Sequence, residues 1–180
     1  MWKRFLASAA PFWKQLFEKR FVTVDNTTVI VFVLSLFLVP YPWVFGWVLA
    51  VCAHELSHLF TLFAVGVPVA GIRFGANGAK IDTLPLTDRE ELICAAAGPL
   101  GGFLLAILCF EIPYIGYCAL AQSLFNLLPI YPMDGGRIFR IVCCRLFGNN
   151  VGKLICRIVN LLVPLIIVTV IFVFYKTKCL

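Results

Sequence analysis

Both histidines of this chain lie in one five-residue run, His54-Glu55-Leu56-Ser57-His58. Residues four apart on an α-helix share a face, so the two imidazoles can converge on one metal ion. Glu55 follows the first histidine and projects close to the same point. In this H-E-x-x-H spacing, two histidines bind zinc and the glutamate acts as a general base for hydrolysis. Because the run lies within a long apolar stretch, the sequence indicates hydrolysis inside a bilayer.

A third metal ligand must come from elsewhere in the chain, because a catalytic zinc ion usually takes three protein ligands and leaves the fourth position to water. Of the 9 acidic residues, only Glu55 and Asp134 lie in apolar surroundings. Asp134 lies between two prolines and two glycines that break a helix, which is tolerated at membrane depth where the backbone lines a cavity. An ionisable group in that setting is a functional candidate. The alternative is that Asp134 is only a turn residue before Gly135.

Two motifs together resemble those of a known family. H-E-x-x-H is followed about 70 residues later by N-x-x-P-x-x-P-x-D-G, which begins at Asn126 and contains Asp134. The pair is similar to the motifs of the site-2 protease family of intramembrane zinc metalloproteases. Between them, A-G-P-L-G-G at 97–102 resembles the family's G-P-x-x-N element, with Gly102 where the family often has asparagine. The resemblance covers residues 44–140, and the compact form is most similar to bacterial and archaeal members, including sporulation-type enzymes.

The resemblance implies a set of site residues and a cofactor. His54, His58 and Asp134 would bind one Zn²⁺ per chain, and Glu55 would take a proton from the attacking water and return one to the leaving amine. Asn126 would hold the substrate backbone through its side-chain amide. The alternative for Asn126 is an interhelical hydrogen bond with no part in catalysis. The implied substrate is the transmembrane or juxtamembrane segment of another membrane protein.

Composition predicts the fold class. Hydrophobic residues make up 62% of the chain and charged residues 13%, and the mean hydropathy is +0.97. These values are typical of an all-α polytopic membrane protein, and 180 residues suffice for one compact helical bundle in the lipid bilayer. The net charge of +6 is expected to mark cytoplasmic loops, and no nucleic-acid partner is expected.

The pattern along the chain predicts three regions: a basic amphipathic segment at 1–27, a single transmembrane metalloprotease domain at 28–175, and a short tail at 176–180. Apolar segments predict five transmembrane helices. A further apolar stretch at 138–147 is interrupted by Arg140 and Arg145, so it is either an interfacial helix or a sixth span. The five segments are 28–39, 44–65, 92–110, 115–128 and 154–175.

Charge placement predicts the orientation. With a cytoplasmic N-terminus, the outside loops at 40–43 and 111–116 contain no Lys or Arg. The inside loops at 67–89 and 129–153 hold the basic residues, as the positive-inside rule requires. We therefore expect a multi-pass protein of the cell membrane whose active site opens to the cytoplasm. The basic residues inside are Arg73, Lys80, Arg89, Arg137, Arg140, Arg145 and Lys153.

A small β-hairpin is predicted on the cytoplasmic side. Residues 70–74 and 79–83 flank a turn that contains Asn77-Gly78, a pair favoured in tight hairpins. An exposed hairpin strand can pair with an unwound substrate. The alternative is that the hairpin is structural only.

Two other functions are consistent with part of the pattern. Metal transporters also place histidines and carboxylates on membrane helices, but they are expected to distribute ligands along a path. An inactive relative acting as a chaperone or anchor would not need an intact set of His54, Glu55, His58 and Asp134. The clustering of these residues favours an enzyme over both alternatives.

Overall fold

The computed structural model describes residues 22–75 and 78–178, which are mainly helical. Most of the predicted amphipathic segment at 1–27, namely residues 1–21, lies outside the described residues, as does the end of the predicted tail at 179–180. The elements follow in the order β1 Val22–Val24, α1 Asn26–Leu38, α2 Tyr41–Val65, β2 Val69–Gly75, β3 Gly78–Thr83, α3 Asp88–Leu108, α4 Pro113–Asn126 and α5 Asp134–Lys178.

The chain divides into two compact units, Met1–Ser123 and Leu124–Leu180. In the first unit, α2 packs against α3. Its most deeply buried side chains are small: Ala50, Ala95 and Ala119 are at most 1% exposed. Small residues let membrane helices approach closely, so this core is formed by close backbone contact rather than by large apolar side chains.

Helix α2 carries the two histidines near its middle. The helix begins with a proline in its first turn, where the missing N–H is harmless. It ends at Gly66, which has a left-handed φ of 78° and donates its N–H to the carbonyls of Leu62 and Phe63. Its 25 residues correspond to a length of roughly 37 Å, enough to cross the hydrocarbon core.

Helix α3 begins with a capping box. The Thr87 hydroxyl accepts from the Glu90 N–H, and the Glu90 carboxylate accepts from the Thr87 N–H. The acidic first turn also suits the positive end of the helix dipole. This cap explains why α3 begins at Asp88, before the apolar segment predicted to start at residue 92.

The three strands form one sheet in the order β1-β2-β3. Strands β2 and β3 are antiparallel and pair Ile72 with Ile81, which confirms the predicted hairpin. Strand β1 runs parallel to β2 and pairs Val22 with Ile72. The sequence pattern does not predict β1, because three residues are too few to give a strand pattern.

The second unit consists of the end of α4, a loop at 127–133, and α5. Helix α5 has non-helical angles at Gly148, φ 79° and ψ 162°, so it consists of two arms, 134–147 and 149–178. A Cβ atom on Gly152 would overlap with the backbone of Cys143 and Cys144, so glycine permits close packing of the arms here. The arms correspond to the two apolar stretches predicted at 138–147 and 154–175.

Three helices of the described chain, α2, α3 and α5, are long and apolar enough to cross a membrane. Helix α1 is apolar but shorter, with 13 residues, and α4 has 14 residues. Large apolar side chains such as Phe37 and Ile171 are more than half exposed, which suits contact with lipid. The chain is thus a helical membrane protein with a small sheet, and the number of spans, five or six, stays a prediction.

Candidate metal centre

The two histidines of α2 face each other across one helical turn. His54 and His58 are buried, at 4% and 6% exposure. Their Nε2 atoms lie 3.1 Å apart, with the rings nearly perpendicular at 85°. Two nitrogens bound to tetrahedral zinc at 2.0–2.1 Å would be about 3.3 Å apart. The pair therefore presents two imidazole nitrogens at the separation that zinc requires.

A main-chain carbonyl fixes the protonation of His58. Its Nδ1 lies 2.8 Å from the carbonyl oxygen of Cys94 on α3. A carbonyl only accepts, so Nδ1 carries the proton and donates it, and in the neutral ring the lone pair is then on Nε2. Hydrogen bonds of this kind orient metal-binding histidines and increase their basicity. The Cys94 side chain is buried beside the same ring, with Sγ 3.8 Å from Nδ1.

Gly98 leaves space for both imidazoles. A Cβ atom built on this residue of α3 would overlap with the His58 ring and lie 2.7 Å from Cε1 of His54. Real Cβ contacts are longer, so a larger residue would displace one ring or separate α2 from α3. Gly98, part of the A-G-P-L-G-G element at 97–102, therefore lies directly against the two candidate ligands.

Glu55 follows His54 on the same helix and is half-buried. A half-buried carboxylate one residue from a candidate metal-binding imidazole suits proton transfer more than surface solvation. The sequence-based assignment of Glu55 as general base remains a prediction.

The predicted third ligand, Asp134, lies in the second unit and is 6% exposed. It is the first residue of α5, where a negative charge is favoured by the helix dipole. Arg137, one turn later, places Nη1 3.7 Å from Oδ1 of Asp134. Gly135 and Gly136 pack so closely against the loop at 127–133 that a Cβ atom on either would overlap with its backbone.

Asn126, the predicted substrate-binding residue, is the last residue of α4 and is half-buried. It begins the motif that ends at Asp134, and both residues belong to the second unit. The structure thus brings His54 and His58 together within the first unit, and Asp134 and Asn126 lie close in sequence within the second. The roles of Asp134 and Asn126 remain predictions.

The hairpin carries an ion pair across its two strands. Arg73 donates from Nη2 to Oδ1 of Asp82 at 2.7 Å. This hydrogen bond lowers the pKa of Asp82 below its ordinary value. Lys80 lies opposite Arg73 in the register, so the carboxylate also offsets repulsion between two neighbouring positive charges.

Comparison with other proteins supports the chemistry of the site. No family model matches the chain. Over 136 residues the chain is 33% identical to a zinc metalloprotease of Methanocaldococcus jannaschii, covering 62% of this chain and 40% of the relative. Over 137 residues it is 31% identical to a protein assigned as a zinc metalloprotease in Synechocystis, covering 63% of this chain and 36% of the relative. The chain therefore spans well under half the length of these two relatives.

A solved structure has the same fold. The site-2 protease from Methanocaldococcus jannaschii aligns with a TM-score of 0.64 and 22% identity, covering 88% of this chain and 82% of that chain. The fold of this chain therefore has a counterpart in a solved protein.

Proposed function

We propose that this chain is a member of the site-2 protease family and an intramembrane zinc metalloendopeptidase, which its zinc metalloprotease relatives and its fold support. It would hydrolyse peptide bonds within or next to the transmembrane segments of other membrane proteins. The observation that carries this proposal is the imidazole pair of His54 and His58, whose Nε2 atoms are 3.1 Å apart. These rings are buried in a helix that is apolar and long enough to span a membrane.

The proposed ligands of one zinc ion per chain are His54, His58 and Asp134. Each offers one ligand atom, two imidazole nitrogens and one carboxylate oxygen, and each residue is buried. This donor set matches that of catalytic zinc sites, which leave one position for water. Zinc held there would supply a Lewis acid that polarises the scissile carbonyl and lowers the pKa of the attacking water to about 7.

The protein would contribute proton transfer and positioning. Glu55 takes the proton of the attacking water and gives a proton to the leaving nitrogen. His58 is held in its ligating tautomer by the Cys94 carbonyl. Asn126 has an amide that can both donate to and accept from an extended substrate backbone.

We place the catalytic domain at 28–175, with 1–27 and 176–180 as flanking segments, in a multi-pass protein of the cell membrane. His54 lies 11 residues before the end of α2 at Val65, a distance of roughly 16 Å along the helix axis. Water and substrate must therefore enter through a polar path. The basic loops favour an N-terminus and an active-site opening on the cytoplasmic side.

The sheet suggests how a substrate would be presented. Strand β2 lies between β1 and β3, so β3 forms an outer edge of the described sheet. The carbonyl of Phe74 accepts from the Asp25 N–H on the β1 side, so the backbone of Phe74 and of Ile72 faces β1. Their partners Ala79 and Ile81 then direct N–H and C=O away from β2. A substrate unwound into a strand could pair there.

Purified chain in liposomes, with a panel of single-span membrane proteins as substrates, tests the proposal. Cleavage should require zinc, stop on chelation, and resume when zinc is added back. His58→Ala should lose both zinc and cleavage, because one of the two paired ligands is removed. Wild-type protein that carries zinc across the liposome membrane without cleaving any substrate would instead identify a transporter.

A further inference from the structure

The loop that precedes Asp134 is held by a side chain far along the sequence. The loop N–H groups can be followed one by one: Ile130 donates to the Leu128 carbonyl and Met133 donates to the Ile130 carbonyl. The prolines at 129 and 132 have no N–H to donate. The N–H of Tyr131 donates to Oδ1 of Asn160, at 2.8 Å.

Asn160 lies on the second arm of α5, and the kink at Gly148 explains how it reaches the loop. Asp134 precedes Gly148 by 14 residues, and Asn160 follows it by 12. At 1.5 Å per residue the two distances are roughly 21 and 18 Å. Arms that fold back on each other at Gly148 therefore bring Asn160 level with the start of α5.

The loop and the first turn of α5 are packed as one block. Cβ atoms on Gly135 and Gly136 would overlap with the backbone of Leu127 and Ile130. The Arg137 N–H also donates to the Met133 carbonyl. Close packing transmits displacement, so a shift of the loop at Tyr131 would move the backbone that carries Asp134.

We propose that Asn160 is a positioning residue for Asp134, and that it acts through the backbone of Tyr131. This inference rests on the proposed role of Asp134 as a zinc ligand. An asparagine within an apolar helix can serve packing between helices alone. The hydrogen bond between Asn160 and the Tyr131 N–H has an effect that hydrophobic packing alone would not have. It connects the second arm of α5 to the motif that ends at Asp134.

The test compares substitutions that remove or keep the acceptor atom. Asn160→Leu has a similar shape but no acceptor, whereas Asn160→Asp keeps a carboxyl oxygen at the position of Oδ1. Asn150→Leu makes the same change at an exposed position of the same arm. All variants are made in the full chain. Asn160→Ala replaces Asn160→Leu if the leucine variant fails to fold.

Two readouts are measured, and the first does not depend on zinc. In metal-free protein, hydrogen exchange at Tyr131 should be faster in Asn160→Leu and near wild type in Asn160→Asp and Asn150→Leu. Zinc affinity, measured by chelator competition, should fall about 10-fold to 100-fold in Asn160→Leu, the loss typical when a group that supports a ligand is removed. Asn160→Asp should retain most of that affinity.

The proposal is overturned if exchange at Tyr131 is unchanged in Asn160→Leu. It is also overturned if the zinc affinity of Asn160→Leu stays at the wild-type level while exchange at Tyr131 increases. A third contradicting result is an Asn160→Asp variant whose zinc affinity is as low as that of Asn160→Leu. A wild-type protein that binds zinc but cleaves no substrate would contradict the proposed protease function and leave this inference standing. Failure of the proposed protease function and failure of the proposed role of Asn160 therefore give different results.

Discussion

At the candidate metal centre, the position of the His58 proton depends on a main-chain atom. The Cys94 carbonyl holds the proton on Nδ1, which leaves Nε2 to face Nε2 of His54 at 3.1 Å. Gly98 gives both rings the room for this arrangement. From spacing alone, H-E-x-x-H predicted that the two imidazoles converge, and their Nε2 atoms do lie close together. The Cys94 carbonyl and the space at Gly98 depend on how α3 packs against α2, which spacing within one helix does not encode.

We expect Gly98→Ala to lower zinc affinity, because the new methyl group must displace an imidazole. The loss should be about 10-fold to 100-fold, as for other changes next to metal ligands, and competition with a chelator measures it. Gly102→Ala is the matched control: its methyl group would meet Ser123 Oγ on α4 instead of the histidines. Equal losses in both variants would indicate general overpacking of α3 and would refute a specific role for Gly98.

Asp134→Ala should reduce both zinc occupancy and cleavage, because it leaves two imidazoles without the proposed carboxylate ligand. We expect zinc affinity to fall by at least about 10²-fold, the upper end of losses caused by supporting groups. Asp88→Ala is a matched control, since Asp88 is also the first residue of a helix but is exposed. If Asp134→Ala retained all its zinc in the presence of a competing chelator, the third ligand would lie elsewhere.

At the scale of elements, the sequence predicted the strand and helix boundaries that depend on interactions between residues close together in the chain. Asn77-Gly78 predicted the hairpin, which the structure extends by one residue at most strand ends, to Val69–Gly75 and Gly78–Thr83. Helix α3 begins four residues before its predicted start because of its capping box. Strand β1 was missed because it exists through pairing with β2, a contact between distant parts of the sequence. The bond from Tyr131 to Asn160 was missed for the same reason.

Proline substitutions in β3 should separate substrate pairing from sheet stability. In Ile81→Pro the missing N–H is one that faces away from β2, so cleavage should fall while zinc content stays at wild type. Ile81→Ala keeps the N–H and removes the side chain, so it should cleave normally. Lys80→Pro removes an N–H directed at β2 and should disrupt the sheet itself. Normal cleavage of a membrane-embedded substrate by Ile81→Pro would leave the hairpin a structural element only.

For the whole molecule, composition predicted a helical membrane protein, and the fold is similar to that of a solved site-2 protease. The number of spans was left open by the sequence because α1 and α4 are shorter than a typical span and because Arg140 and Arg145 interrupt the first arm of α5. Hydropathy measures length and polarity, whereas the depth of a short helix depends on its neighbours and on lipid. Orientation depends on loop charge, which gives a prediction that labelling can test.

The orientation predicts opposite labelling at two sites. A membrane-impermeant thiol reagent should modify cysteine in Asn77→Cys from the cytoplasmic side only, because the hairpin lies within the basic loop at 67–89 that is predicted to be inside. In Tyr41→Cys, at the start of α2, the same reagent should react from outside. The parent chain, with its native cysteines, gives the background in each case. Reversal of this pattern in intact cells would contradict the proposed topology.

The most direct test of the central claim is the Glu55→Gln variant, measured for zinc and for cleavage in the same preparation. Glutamine is close in shape but cannot accept the proton of the attacking water, and the three proposed ligands are unchanged. We predict about one zinc ion per chain, as in wild type, and cleavage of a membrane-embedded substrate reduced by about 10²–10⁴-fold. Cleavage at the wild-type rate with zinc bound would contradict the account, because Glu55 would then not be the general base.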